Sequence, residues 1–284
     1  MEIPFEALKS DGFNSVRKFK AGIIGCGTIG THLARVLVRD FRSQATLAYL
    51  CDRRPEKAES LKRRIHSPAR IIPLEKLIRG SDLIIEAASA QISAEVAARA
   101  LKLGKQVLMM SVGGLIDKNL GQMSKKSRGR LWIPSGALAG IDAVLAARQG
   151  RIRSVKLVTR KPPQALMRAA YFKSREFPKL RRREERRIFK GSAREAVKAF
   201  PENINVAAVL SLAGVGALKT RVEIWTSRAY RSNQHEVTVE GDFGTIHTVT
   251  RNVPFPENPK TSYLAALSAA ATLKNIFSLL RVGT

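Results

Sequence analysis

A glycine-rich segment near the amino end carries the clearest chemical signal in the sequence. Gly25, Gly27 and Gly30 form a G-x-G-x-x-G pattern between the apolar run Phe19–Ile24 and a helical pattern that begins at Thr28. In a strand–turn–helix unit, the first glycine allows a tight turn, the second lets the backbone approach a pyrophosphate, and the third lets helix and strand pack closely. The helix N-terminus then faces the phosphates. The pattern predicts a dinucleotide site formed by Gly25, Gly27, Thr28, Ile29 and Gly30.

An acidic residue follows at the distance that such a site requires. Asp52 lies 22 residues after Gly30, directly after the apolar run Ala45–Cys51. A carboxylate at the end of the second strand accepts the ribose hydroxyls of NAD. Arg53 and Arg54 come next and could pair with a 2′-phosphate, so the predicted cofactor is NAD or NADP.

The elements around this segment alternate at the pitch of parallel strand–helix–strand units. Apolar runs and helical patterns follow one another from Phe19 to Met110 without a low-complexity linker. Helical crossovers of this kind join parallel strands. We therefore predict an α/β fold with a Rossmann-type parallel sheet. The dinucleotide-binding domain is placed at residues 19–134, after an N-terminal extension at 1–18.

The second half of the chain has a different pattern. Four segments alternate apolar and polar residues: Val155–Thr159, Val222–Thr226, Glu236–Glu240 and Thr245–Arg251. This alternation is typical of antiparallel strands with one open face. We predict a second, α+β domain with a mostly antiparallel sheet at residues 135–257. A final helix, Ser262–Leu280 within the segment 258–284, is expected to pack back on the first domain.

The composition argues against several other classes of protein. Two cysteines cannot form a disulfide framework, and four scattered histidines lack metal-ligand spacing, so no metal site is expected. The first residues have no apolar core of a secretory signal, and the apolar tract near the end is too short to cross a bilayer. We expect a soluble, cytoplasmic protein with no membrane partner.

The net charge is unusually positive, at +27 over 284 residues. It is densest in Met167–Lys190, which holds ten basic and three acidic residues and which we call the Arg-rich segment. Stacking aromatics for single-stranded nucleic acid are only partly present, as Tyr171, Phe172 and Phe177. A solvated surface is the simpler interpretation, with non-specific polyanion contacts as the alternative. Nucleic acid is therefore not expected as a specific partner.

Six ordered motifs, which begin inside the predicted nucleotide domain and continue to the end of the chain, allow a family to be named. They are MSVGGL, IPSGALAGIDA, TRKPP, GSAREAVKAFPENINVAA, SNQHEVTVEGDFG and NVPFPENPKTSYLAALS. Together with GIIGCGTIG, they resemble the L-aspartate dehydrogenase family of archaea and some bacteria, from about Lys20 to the end. The resemblance implies oxidation of L-aspartate to iminoaspartate with NAD or NADP. It also implies hydrolysis of the imine to oxaloacetate and ammonia or its use in NAD biosynthesis, and a homodimer formed through the second domain.

The resemblance further implies roles for individual residues. His235 in NQHE corresponds to the family's catalytic histidine, a residue type whose pKa near neutrality suits proton transfer. Ala137 in PSGA and Asn205 in NINV correspond to residues that contact the nicotinamide, with Ala139 as the alternative to Ala137. From the residues alone, His235 is a plain strand histidine and Asn205 a helix cap.

Two substrate carboxylates call for cations, hydroxyls or turn amides. The candidates are Ser135, Gly136, Lys161, Lys260, Thr261 and Ser262. Thr261 or Ser262 could instead cap the last helix.

Other functions stay open at this stage. They are a homoserine-dehydrogenase-like or dihydrodipicolinate-reductase-like oxidoreductase and a non-catalytic, polyanion-binding Rossmann protein. The extension at 1–18 and the strongly basic character of the Arg-rich segment depart from the family, which leaves oligomer contacts and partners open.

Overall fold

The computed structural model describes residues 18–118, 127–201, 204–280 and 282–283, without the side chains of Pro259 and Lys260. The N-terminal extension therefore lies outside the described residues, apart from Lys18. Within the described part of the chain, no helix is long and apolar enough to cross a membrane.

The first sheet has six strands, all parallel, in the order β3-β2-β1-β4-β5-β6. The strands are β1 (Phe19–Ile24), β2 (Ala45–Cys51), β3 (Arg70–Ile71), β4 (Leu83–Glu86), β5 (Gln106–Met109) and β6 (Arg130–Trp132). The helices between them are α1 (Thr28–Asp40), α2 (Pro55–Arg64), α3 (Leu74–Gly80) and α4 (Ala90–Lys102). This is the doubly wound Rossmann arrangement, so the predicted parallel sheet is confirmed.

Apolar side chains on both faces hold this sheet between its helices. The sequence of β4, LIIE, is buried along its whole length, as expected for a strand covered on both sides. One face packs on α1 and α2 through residues such as Leu33 and Leu61. The other packs on α3 and α4 through residues such as Leu77 and Val96.

The second sheet has five strands in the order β11-β10-β7-β9-β8. Its strands are β7 (Ile152–Lys161), β8 (Glu185–Ser192), β9 (Arg221–Ser227), β10 (Gln234–Gly241) and β11 (Gly244–Arg251). Three neighbouring pairs are antiparallel and one, β7 with β9, is parallel, so the prediction of a mostly antiparallel sheet is confirmed. One face packs on α5 (Ile141–Ala147), α6 (Ala193–Ala199) and α7 (Asn205–Ala213).

A hairpin and a helix follow the second sheet, and the helix returns to the first sheet. A hairpin of β12 (Pro254–Phe255) and β13 (Asn258–Ser262) leads into α8 (Tyr263–Phe277). Helix α8 packs against the first sheet's core, where Ala269 and Leu273 join Leu33 and Leu37 of α1. The sequence pattern predicted a helix from Ser262 to Leu280 and missed the hairpin, because its strands are too short to show alternation.

The Arg-rich segment is only partly the solvated surface that its charge indicated. Its last residues enter β8, an edge strand, and its aromatic residues pack inward. Tyr171 stacks on Phe200 with ring centroids 4.9 Å apart, and Phe172 contacts Phe177 at 4.8 Å. These aromatics are half-buried and pack against the core under the second sheet, so they are not the fully exposed rings of a stacking platform.

Candidate active site

A cavity of about 230 Å³ lies where the carboxyl ends of β4 and β5 meet strands β7 and β10 of the second sheet. Ligands bind in Rossmann sheets outside the carboxyl ends of the strands, so this location fits a substrate site. Eight of the predicted residues line the cavity: Ile29, Gly136, Ala137, Lys161, Asn205, His235, Thr261 and Ser262. They come from separate parts of the chain and meet only in the fold.

His235 lies on β10, directly opposite Thr159 on the antiparallel strand β7. Only 2% of its surface is exposed, and its Nδ1 atom is 2.7 Å from the Thr159 hydroxyl oxygen. Burial and the nearby Lys161 lower the pKa of His235 to about 3. The imidazole is therefore neutral near pH 7, with one ring nitrogen unprotonated.

Lys161 ends β7 and lines the same cavity, with 5% of its surface exposed. Among the described residues no carboxylate forms an ion pair with it, and burial lowers its pKa to about 8. A buried ammonium without a partner is costly, because moving a charged group from water into the protein interior is strongly unfavourable. The site thus holds a cation that an anionic ligand would stabilise.

Ala137 is held in place through its backbone carbonyl. The Thr250 hydroxyl donates to this oxygen at 3.0 Å and the Asn252 Nδ2 group at 3.3 Å. Ala137 is 4% exposed and faces the cavity, whereas Ala139 lies at the surface outside it. The geometry therefore favours Ala137 over Ala139 for any contact with a ligand.

Asn205 is the first residue of α7, one position after the N-cap residue Ile204. Its Oδ1 atom accepts a hydrogen bond of 3.2 Å from the backbone N–H of Gly113, so the side chain bridges α7 and the MSVGGL turn. Among the described residues none accepts from its Nδ2 group. The side chain thus offers an amide donor at the cavity wall, and the alternative of a helix cap is wrong.

The predicted carboxylate ligands are only partly brought together. Thr261 and Ser262 line the cavity, and Ser262 accepts a hydrogen bond of 3.4 Å from Asn233 Nδ2. Ser262 occupies the N-cap position of α8 without a side-chain capping bond. Ser135 precedes Gly136 but does not line the cavity, and the side chain of Lys260 lies outside the described part.

The glycine loop has the geometry that its pattern predicted. Gly25 has a φ of +92°, in the left-handed region that favours glycine. A Cβ atom on Gly30 would overlap the Gly25 carbonyl oxygen, whereas one on Gly27 would meet no atom within 4 Å. Gly27 is also the N-cap of α1 and supplies no side chain there. The loop therefore leaves an open cradle at a helix N-terminus, which fits a pyrophosphate.

Asp52 has a structural task in addition to the one predicted. Its two carboxylate oxygens accept hydrogen bonds from the backbone N–H groups of Cys26, at 2.7 Å, and Arg54, at 2.9 Å. The carboxylate thus ties the glycine loop to the end of β2. Each oxygen keeps a second lone pair for a ribose hydroxyl. Arg53 is exposed and does not line the cavity.

A second pocket beside the loop contains residues that sequence reasoning missed. Gly27 and Thr28 line it together with Lys57, Ser60 and Arg64 of α2. The three α2 residues are three and four positions apart, so they share one helix face. That spacing was a signal in the sequence, but only the fold shows that this face lies beside the glycine loop. The two cations suit the anionic part of a dinucleotide.

Glu86 at the end of β4 was also missed. It is fully buried, and burial raises the pKa of its carboxyl group although nearby N–H groups oppose the shift. It accepts hydrogen bonds from the backbone of Ala88, Ser89 and Ser111 and from the Ser111 hydroxyl. Glu86 therefore joins the two turns, after β4 and β5, that contribute Ala87 and Ser111 to the cavity.

The fold and the site define a class of protein, a dehydrogenase that uses NAD or NADP. Two family models match the chain: "Homoserine dehydrogenase, NAD binding domain" at residues 25–127 and "Aspartate dehydrogenase, C-terminal" at residues 142–276. A crystal structure of aspartate dehydrogenase from Thermotoga maritima superposes with a TM-score of 0.71 at 24% identity, covering 93% of this chain and 99% of that one.

Curated relatives are closer in sequence. The L-aspartate dehydrogenase of Methanosarcina mazei is 44% identical over 271 residues, covering 93% of this chain and 99% of its own. That of Bradyrhizobium diazoefficiens is 38% identical over 268 residues, covering 94% and 95%. The chain belongs to the L-aspartate dehydrogenase family.

The glycine loop gives a matched pair of variants. Gly30→Ala is expected to lower the free energy of unfolding by about 1–3 kcal/mol, because the added methyl group must displace the Gly25 carbonyl. Gly27→Ala is expected to leave the melting temperature unchanged without cofactor but to weaken NAD(P)H binding, because its methyl group enters the cradle. Thermal unfolding and fluorescence titration measure both. Equal stability losses in the two variants would contradict this prediction.

Proposed function

We propose that this protein oxidises L-aspartate to iminoaspartate with NAD or NADP, and that the imine hydrolyses to oxaloacetate and ammonia. The observation that carries the proposal is that two buried side chains, Lys161 and His235, line one cavity. The cavity presents a neutral base and a cation that no carboxylate of the described residues pairs with, and these groups suit a small anionic amino acid. The names of the relatives support the same substrate.

The cofactor would bind along the amino end of α1. The Gly25–Gly30 loop would hold the pyrophosphate, and Asp52 would accept from a ribose hydroxyl. Ala137 and the Asn205 amide, both at the cavity wall, would contact the nicotinamide. Bound NAD or NADP supplies the hydride acceptor.

The substrate would be held by its carboxylates. The Lys161 ammonium would pair with one of them, and the Thr261 and Ser262 hydroxyls, which line the same cavity, would donate to the other. A volume of about 230 Å³ is below that of drug-sized pockets. The cavity therefore suits a short substrate.

His235 would act as the base. It accepts a proton from the substrate ammonium, and the freed nitrogen lone pair then forms the C=N bond as the hydride leaves Cα. The products are the protonated imine and the reduced cofactor, with one proton on His235. Burial keeps the imidazole neutral beforehand, and the substrate's negative charges favour its protonated form afterwards.

We also propose, from the family, a homodimer, a cytoplasmic location and a link to NAD biosynthesis. Light scattering of the purified protein tests the dimer. We do not propose the polyanion-binding alternative, because Tyr171 and Phe172 are half-buried and pack against Phe200.

The test is a panel of initial rates. L-Aspartate, D-aspartate, L-glutamate and L-homoserine are each assayed with NAD and with NADP. We expect cofactor reduction with L-aspartate alone. A faster rate with homoserine, or none with L-aspartate while the cofactor still binds, would overturn the proposal.

Substrate-analogue binding should depend on pH through Lys161. Succinate has both carboxylates and no amine, so its dissociation constant is expected to rise about tenfold per pH unit above pH 8, where Lys161 loses its proton. Calorimetric titration of the cofactor-bound enzyme measures this. In Lys161→Met, succinate should bind weakly with no such slope. An unchanged slope in that variant would assign the titration to another group.

A further inference from the structure

A threonine hydroxyl lies behind the imidazole of His235. Thr159 is completely buried, and its Oγ1 atom is 2.7 Å from His235 Nδ1. The same hydroxyl donates to the backbone carbonyl of Gln234 at 3.5 Å. Thr159 and His235 are direct partners across β7 and β10, so the strand register fixes this contact.

The Thr159 hydroxyl has a single proton, and its placement decides whether Thr159 donates to the His235 ring or accepts from it. When Thr159 donates to the Gln234 carbonyl, its oxygen can only accept from Nδ1–H. A neutral imidazole carries one ring proton, so its Nε2 atom then holds the free lone pair. We propose that Thr159 is a positioning residue that holds His235 in the Nδ1–H tautomer, with Nε2 as the atom that takes the substrate proton.

The arrangement suits proton transfer in both states of the ring. When Nε2 accepts the proton, the imidazolium still donates its Nδ1–H to Thr159, so this hydrogen bond persists. In the other tautomer Nε2 carries the proton and cannot accept one. The charged group that acts on the ring is Lys161, on the same strand as Thr159. This inference rests on the proposed role of His235 as the base.

A second threonine–histidine pair in the same sheet can be compared with Thr159 and His235. On the open side of the sheet, Thr238 lies opposite His247, with 3.2 Å between Oγ1 and Nδ1. The His247 side chain is 51% exposed and does not line the cavity. The same pair of residue types without burial therefore provides a reference for the nitrogen signals of an exposed histidine.

The test combines variants with nitrogen NMR. Thr159→Val keeps the shape and removes the hydroxyl, Thr159→Ser restores it, and Thr220→Val removes another buried hydroxyl, bonded to the Gly216 carbonyl. We expect kcat for L-aspartate to fall about 10- to 100-fold in Thr159→Val, the effect of one buried hydrogen bond. Cofactor affinity should be unchanged, Thr159→Ser should stay within about threefold of wild type, and Thr220→Val should be unaffected.

The ¹⁵N spectrum of the wild-type protein tests the tautomer without any assay of activity. Protonated Nδ1 and unprotonated Nε2 for His235, reversed or mixed in Thr159→Val, would support the proposal. Protonated Nε2 in the wild type, or a kcat within twofold of wild type in Thr159→Val, would overturn it. Retained activity in His235→Asn would instead refute the proposed role of His235, whatever the spectrum shows.

Discussion

Replacing Lys161 by methionine is expected to make the protein more stable and inactive. Its ammonium is buried with a pKa lowered from 10.5 to about 8, so the folded state disfavours the charge at neutral pH. At 1.36 kcal/mol per pKa unit, an apolar side chain of similar length should raise the free energy of unfolding by roughly 3 kcal/mol at pH 7. The same change removes the cation that we propose pairs with a substrate carboxylate, so kcat/KM for L-aspartate should fall strongly.

The stability difference between Lys161→Met and the wild type should depend on pH. Between pH 8 and pH 10.5 the unfolded chain binds more protons at Lys161 than the folded protein does. The free energy of unfolding of the wild type therefore rises across that interval. The advantage of Lys161→Met should therefore shrink over the same interval. Denaturant titrations at pH 7 and above pH 10 measure the difference.

A neighbouring lysine supplies the control. Lys156 is on the same strand, but its side chain is 48% exposed and lies 3.2 Å from Glu223. Lys156→Met should keep activity and should change stability by less than about 1 kcal/mol, because Glu223 retains Arg187 and the Trp225 Nε1–H as partners. A lower free energy of unfolding in Lys161→Met would contradict the prediction, because it would show that the folded protein stabilises the Lys161 ammonium.

Replacing His235 by asparagine is expected to lower kcat by about 10²–10⁴-fold, the usual contribution of a general base. Cofactor affinity should be retained, because His235 lies on β10 and the cofactor loop is on the first sheet. Because the pKa of His235 is lowered to about 3, its titration should not limit kcat/KM of the wild type above pH 5. Steady-state rates from pH 5 to pH 10 measure both effects.

The matched variant is His247→Asn, on the next strand. That histidine also faces a threonine, but it is exposed and outside the cavity, so kcat should stay within twofold. A comparable loss in both variants would indicate damage to the second sheet rather than loss of a base. Retained activity in His235→Asn would move the base to another group, with Lys161 as the next candidate.

The sequence by itself determined the parallel sheet, the glycine loop and the family. These features depend on local signals: apolar runs bounded by turns, Gly25, Gly27 and Gly30 at fixed spacing, and motifs in order along the chain. Glycine requirements are set by the backbone of one turn, so a short window contains the information. The same reasoning located His235 and Lys161 as candidates without showing that they share a cavity.

Only the tertiary structure decided how the site is assembled. Thr159 and His235 are 76 residues apart, and the register of β7 against β10 brings their side chains together. The burial of Lys161, the choice of Ala137 over Ala139 and the hydrogen bonds of Glu86 likewise depend on distant elements. Burial and pKa are set by everything that surrounds a group, and those surroundings exist only once both sheets and the final hairpin have packed.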